Sequence, residues 1–337
     1  MKRSLCKTLI ASIALLVLCA TSSRVIADPI KGYHVTRGII VRDGVPMALR
    51  GVNAFHVYAG DGSDLDIWPG ISIVREYVRN LRDTPLDANV TVDDKPNHAR
   101  LHSLTDVVAN NTARGRVTIL CPFGWDGTKD TLFRGKQPST TPYYADYKAR
   151  LHDWAVKFAS NPNVWLEVWN EPFAGPTTPE NEALWLADMT AMVDNLRTAG
   201  WDGIIVVPTT SWGQDEGVIF RKGGDLTKDR KDVVFDVHVY EQWLKGTADM
   251  MGVRLDAVKA TGQAFIIGEV GPQNNLDVLD TAPFLNAARS RQIPVLGWVF
   301  SRSNKEANAL LTRDGKPHDT GNFNWGSTFR DYLAAPK

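Results

Sequence analysis

The chain has 337 residues with 38 basic and 38 acidic side chains, so it lacks the basic excess or stripe that marks a nucleic-acid binder. Of its three cysteines, Cys6 and Cys19 fall in the N-terminal leader, and Cys121 alone can form neither an intramolecular disulfide nor a two-cysteine metal site. Stability must therefore come from an apolar core, for which about 300 residues is ample.

Lys2, Arg3 and Lys7 precede an apolar run from Leu9 to Leu18, and Val25-Ile26-Ala27 precedes Asp28. This order of basic, apolar and small residues is that of a secretory signal peptide. The run is short of the roughly 20 residues a spanning helix needs, and the bulky Leu18 argues against lipid attachment at Cys19. The expectation is cleavage near Ala27 and export, to the periplasm or beyond. Residues 28–337 would then form one catalytic domain, with 34 basic against 38 acidic residues once Lys2, Arg3, Lys7 and Arg24 are removed.

After the leader, His34–Val41 and Pro46–Leu49 flank Asp43-Gly44, which reads as an antiparallel hairpin. Apolar, β-branched runs then recur at Ala48–Asn53, Ile71–Glu76, Val117–Pro122, Val164–Trp169, Gly203–Pro208, Val233–His238, Ala264–Glu269 and Pro294–Phe300. Runs this apolar suit strands buried on both faces. Between them, Tyr147, Leu151, Trp154 and Phe158 share one helical face, as do Leu186, Met189, Val193 and Leu196, with Gly200 as a stop. Eight strands alternating with helices predict a (β/α)8 TIM barrel, its floor closed by the hairpin. The second run is ambiguous, because Ile71, Val74, Val78 and Leu81 also have helical spacing. An open doubly wound sheet is the alternative, disfavoured because no glycine-rich phosphate loop follows any run.

In such barrels the working side chains leave the C-terminal ends of the strands. The fourth run ends in Asn170-Glu171-Pro172, the sixth in His238-Val239-Tyr240 and the seventh in Glu269, while the eighth carries Trp298. Two carboxylates at a barrel mouth suit glycosidic bond cleavage, one protonating the leaving oxygen and the other attacking the anomeric carbon. Taken singly, either glutamate also fits a salt bridge at a strand end, His238 a core histidine and Trp298 barrel filling.

This ordered set, with Arg50-Gly51-Val52-Asn53 on the first run, resembles glycoside hydrolase family 5 from about His34 to Trp325. The resemblance implies Glu171 as acid/base and Glu269 as nucleophile, with retention of configuration. It further implies that Asn170 binds the 2-hydroxyl of the reacting sugar, that Arg75 and Tyr240 attend Glu269, that His238 contacts the acid/base side, and that Trp298 is the sugar platform. The chain departs from the family after the third run, where Cys121-Pro122-Phe123-Gly124-Trp125 lacks the usual histidine. Trp125 is a candidate stacking surface instead. Ser211-Trp212-Gly213-Gln214-Asp215 is similar to a stretch of bacterial cellulases and mannanases of the family, which implies substrate contacts for Trp212 and Gln214. Glu306 resembles a distal-sugar carboxylate, but Lys305 adjoins it instead of preceding it by two.

The expectation is an exported endo-β-1,4-glycanase acting on a polysaccharide, with β-glucan ahead of β-mannan. Exo-acting or transglycosylating action is the variant within the family. A catalytically inactive sugar-binding barrel is the reading from another class, and the two intact glutamates argue against it. A metal-dependent hydrolase would want a His-x-His or His/Asp cluster at the strand ends. No cofactor, no metal, no nucleic acid and no stable membrane association after cleavage are expected, and the protein is expected to be a monomer.

Overall fold

A computed structural model describes residues 32–336 except 58–59, 79–90, 93–94, 97–102, 127, 276 and 320–322, with backbone alone for 91–92 and 95–96. The expected signal peptide, residues 1–27, lies outside the described residues.

The eight apolar runs are the strands of a closed parallel barrel: Arg50–Ala54, Ile73–Val78, Val117–Pro122, Val164–Glu167, Ile205–Pro208, Val233–Val239, Phe265–Val270 and Val295–Gly297. Each pairs with its neighbour in sequence, and the eighth closes on the first through Val295 opposite Arg50. Ile73–Val78 is buried along its whole length as a strand, so the helical alternative for this segment does not hold. Every residue of a strand buried on both faces must be accommodated by one of two cores. Val74, Leu120, Leu166 and Val207 face the surrounding helices. Ile73, Ile119, Trp165, Val206, Val234 and Ile266 fill the lower interior of the barrel.

The segment before the barrel closes that lower end, with one correction to the expected hairpin. Tyr33–Thr36, Ile39–Arg42 and Val45–Pro46 form a three-stranded antiparallel meander rather than a single hairpin. Arg37 and Gly38, like Asp43 and Gly44, have left-handed φ values of 51°, 74°, 49° and 81°, the conformation of a two-residue turn that matches strand twist. Arg37-Gly38 therefore breaks the run expected as continuous from His34 to Val41. Tyr33 packs edge-on against Trp165 at 5.5 Å, and the Val35 N–H donates to Asp232 Oδ1 at 2.7 Å, which fastens the meander beneath the strands.

Helix Tyr144–Phe158 buries its expected face against the barrel, and helix Pro179–Thr198 buries Met189, Val193 and Leu196 of its expected face, with Leu186 only partly buried. The second opens with Thr178, whose side chain accepts from the Asn181 N–H, and stops two residues before Gly200. The last helix, Trp325–Ala334, is tied to the first strand. Arg50 donates to the carbonyl oxygens of Tyr332 and Pro336 at 3.0 Å each, and to that of Ala335 at 2.5 Å. Among the described residues no helix is long and apolar enough to cross a membrane.

Candidate active site

Strand periodicity builds the site from its lowest layer upward. On the second strand Ile73, Arg75 and Tyr77 share a face, with Ile73 in the lower core and the other two above it. Arg75 is wholly buried, and a guanidinium there needs nearly all its donors satisfied. Its Nε and Nη2 grip both oxygens of Glu167 at 2.7 and 2.6 Å, a fork-to-fork pair. Nη2 also donates to Asn170 Oδ1 at 2.9 Å, and Nη1 to Asn53 Oδ1 at 3.2 Å, to Glu269 Oε1 at 2.9 Å and to the Tyr77 hydroxyl. Glu167, fully buried and close to Asp236, is pushed up to about 7 against the pull of Arg75.

Glu269 owes its position to an irregularity in the seventh strand. Val237 pairs with Ile267, but His238 pairs with Glu269, so Gly268 is an extra residue on that strand. Regular alternation would turn Glu269 towards the helices; the bulge brings it into register with His238. Gly268 is required there, because a Cβ would stand 2.0 Å from the Asp236 carboxylate. Glu269 Oε2 accepts from the Tyr240 hydroxyl at 2.6 Å, and Oε1 accepts from Tyr77 as well as from Arg75. Burial would raise the Glu269 carboxyl, but His238, Arg75 and the two hydroxyls outweigh it and hold it below the usual glutamate value. Both phenols are pushed far above their ordinary range, chiefly by burial, and so remain donors.

Glu171 follows the fourth strand in a left-handed conformation, φ 47°, which turns it into the mouth. Its Oε1 lies 3.3 Å from His238 Nδ1, and its Oε2 lies 3.0 Å from Nε of Arg134. The same His238 nitrogen is 3.5 Å from Glu269 Oε1, while Nε2 is 3.2 Å from Asp236 Oδ2. Burial opposes a charged imidazole, but Glu269, Asp236 and Glu171 together raise His238 to about 10. One side-chain atom from each of Glu171, His238 and Glu269 falls within a 4.8 Å cluster. That spacing alone suits a metal, but guanidinium groups already lie against both carboxylates, Arg75 at 2.9 Å and Arg134 at 3.0 Å. The donor set therefore does not fit a cation.

The structure thus brings Arg75, Asn170, Glu171, His238, Tyr240 and Glu269 into one network. Asn170 uses Oδ1 on Arg75, and its buried Nδ2 has no partner among the described residues. Trp298 is half-buried, edge-on to Tyr77 at 5.2 Å and to Phe55 at 5.9 Å. Trp212 and Gln214 line a neighbouring pocket with Asp215 and Arg221, and Ser211 and Trp212 both adopt left-handed φ values, 55° and 57°. Trp125 instead stacks on Tyr143. Glu306 is exposed, its backbone N–H donating to Ser303 Oγ. At the end of the third strand Cys121 Sγ lies 3.8 Å from Asn170 Oδ1.

Sequence reading missed Tyr77, Glu167, Asp236 and Arg134. Three of these carried a signal. Tyr77 is two residues from Arg75 and so shares its face, and Glu167 and Asp236 are acids inside apolar strands, where a charge needs a partner. Arg134 carried none, since it lies on an irregular loop.

Residues 69–304 match the model of the cellulase family, glycosyl hydrolase family 5. The chain is 24% identical over 332 residues to a mannan endo-1,4-beta-mannosidase of Cellvibrio japonicus (strain Ueda107), covering 95% of this chain and 68% of that protein. Among solved structures, the catalytic domain of a mannanase from Streptomyces sp. SirexAA-E superposes with a TM-score of 0.65 at 21% identity, over 94% of this chain and 93% of that one. The catalytic domain of an endoglucanase from Thermobifida fusca gives 0.61 at 17% identity, over 90% and 97%.

Proposed function

The chain belongs to glycosyl hydrolase family 5, and from that premise we propose that it is a retaining endo-β-1,4-mannanase working through Glu171 and Glu269. The observation that carries the mechanism is the shared contact of both carboxylates with one imidazole, at 3.3 and 3.5 Å from His238 Nδ1. Carboxylates so close leave no room for a water between base and sugar, which favours attack by one of them over inversion.

In the first step Glu269 attacks the anomeric carbon, the glycosidic bond breaks, and the proton of Glu171 passes to the leaving oxygen. The products are a glycosyl ester on Glu269 and an ionised Glu171. Water then gives a proton to Glu171 and attacks the same carbon, releasing the sugar and restoring the Glu269 carboxylate. Negative charge therefore alternates between the two glutamates. The cationic His238 faces one catalytic carboxylate charge in both states, beside the constant charge of Asp236, so the field at the site changes little along the reaction. Asn170 Nδ2, without a partner among the described residues, is the donor available for the 2-hydroxyl, and Trp298 serves as platform for the sugar ring.

Mannan is placed ahead of glucan, the reverse of the order first expected, because the relatives named mannanases span most of this chain. Glucan is the second reading, supported by the resemblance to an endoglucanase fold. Initial rates on β-mannan, carboxymethylcellulose, mixed-linkage glucan and xylan test the order, and hydrolysis of glucan alone would reverse it. Export belongs to the same proposal, and the N-terminal sequence of the secreted protein should begin near Asp28.

A further inference from the structure

Glu171 is held unequally on its two sides. Oε1 faces the buried His238, whereas Oε2 faces Arg134, whose side chain is half-exposed. Nε of Arg134 makes the contact at 3.0 Å, and neither terminal amino group has a partner among the described residues. The backbone that carries it is firmly fixed. Phe133, just before it, is buried in a stack with Trp169 at 3.8 Å. Gly135, just after it, donates from its N–H to the Glu171 carbonyl at 2.6 Å and accepts from the Ala174 N–H at 3.0 Å. A Cβ on Gly135 would meet Trp212 Nε1 at 2.9 Å, so the indole comes up against the same short loop.

We propose that Arg134 is a specificity residue for the departing sugar, holding Glu171 in the resting enzyme and binding the leaving-side ring through its free amino groups. The proposal rests on the assignment of Glu171 as the acid. The sugar that leaves must lie beside the group that protonates its oxygen, and the buried His238 side of Glu171 gives it no access. A glycosidic oxygen arriving from solvent meets Glu171 on the Oε2 side, and the two unpaired amino groups of Arg134 then face the ring attached to that oxygen. Paired donors in a planar fork suit two neighbouring hydroxyls of a pyranose. Trp212 supplies an apolar surface beside them.

Arg134→Ala and Arg134→Lys should be compared with the wild type on two substrates carrying the same two sugars on the non-leaving side: mannotriose, which expels mannose, and 4-nitrophenyl β-mannobioside, which expels a phenol. We expect Arg134→Ala to lose at least about tenfold more kcat/KM on mannotriose than on the aryl glycoside, with Arg134→Lys in between. Equal losses on the two substrates would overturn the proposal, as would no loss on either. A wild type that cleaves the cello-oligosaccharide pair instead moves the same comparison to those substrates. A wild type inactive on both pairs would overturn the functional reading itself. Because Arg134 is half-exposed, the melting temperature of the variants should match the wild type, which separates a binding defect from misfolding.

Discussion

The hydroxyl of Tyr240 donates to Glu269 Oε2 at 2.6 Å, and it does so from a position that is itself almost wholly buried. A hydrogen bond to a charged group in such surroundings is worth about 1.5–3 kcal/mol. It stabilises the ionised nucleophile, so removing it raises the pH at which Glu269 loses its proton. Tyr240→Phe should shift the acidic limb of kcat/KM upward by about one pH unit, and Tyr77→Phe should act in the same direction on the other oxygen. A pH–rate profile between pH 3 and 8 reads both, and limbs that stay in place would mean these phenols do not set the ionisation.

Glu269→Ala and Glu171→Ala should each lower turnover by roughly a thousandfold or more. Azide should restore part of the rate in the first variant by attacking in place of the missing carboxylate. Proton NMR of the earliest product should show the β-anomer. Early α-anomer would rule out double displacement.

Arg75 is the cation shared by Glu167, Asp236 and Glu269, all of them buried. Arg75→Ala leaves the buried Glu167 without its hydrogen-bond partner, a change that costs about 3–5 kcal/mol of folding stability. Arg75→Lys keeps the charge but loses the fork, and should cost less. Chemical denaturation of the two variants gives the order directly; equal stabilities would show that the charge itself contributes nothing.

His238 is raised to about 10 in the folded protein, above its unfolded value of about 6.5. Its protonation favours the folded state, so this contribution is complete below about pH 6.5 and is lost as pH rises towards 10. His56, also raised to about 10 by Glu76 and Asp64 against the effect of burial, adds a contribution of the same sign. The melting temperature should therefore fall between these limits, and His238→Asn should make the fall shallower. A variant with an unaltered slope would exclude His238 as a source.

Gly268→Ala tests the bulge. The added methyl would lie 2.0 Å from the Asp236 carboxylate, against a rigid strand. Overpacking of this kind costs about 1–3 kcal/mol, and here it also displaces the residue beside Glu269. Activity should fall further than stability. A variant with full activity would show that Glu269 is held by its hydrogen bonds alone.

The strands were legible because burial on both faces leaves an uninterrupted apolar run, and the site residues because they follow those runs directly. The family resemblance, and not periodicity, places Arg75 beside Glu269, since helical spacing fits Ile71, Val74 and Val78 as well as the strand Ile73–Val78 does. The turn at Arg37-Gly38 was hidden by an arginine in a left-handed conformation, which that side chain seldom adopts. The bulge at Gly268 was not legible, because an extra residue is defined by pairing with a distant strand. Arg134 depends on how its loop is fastened to Glu171, and spacing carries no trace of that.

Arg50 bears on how the chain reaches its native state. Its guanidinium is buried, and the carbonyls it needs come from residues 332, 335 and 336, more than 280 positions downstream. The barrel seam adjoins it, since Arg50 also pairs with Val295 on the eighth strand. During synthesis neither partner exists until residues 295 and 332–336 have been made, so the first strand waits with an unpaired edge and an unsatisfied charge. Contacts this distant in sequence make folding slow, and completion of the barrel is coupled to the arrival of residues 332–336. Removing only the segment after residue 331 should therefore trap the chain as an open, protease-sensitive intermediate even though every catalytic side chain is present.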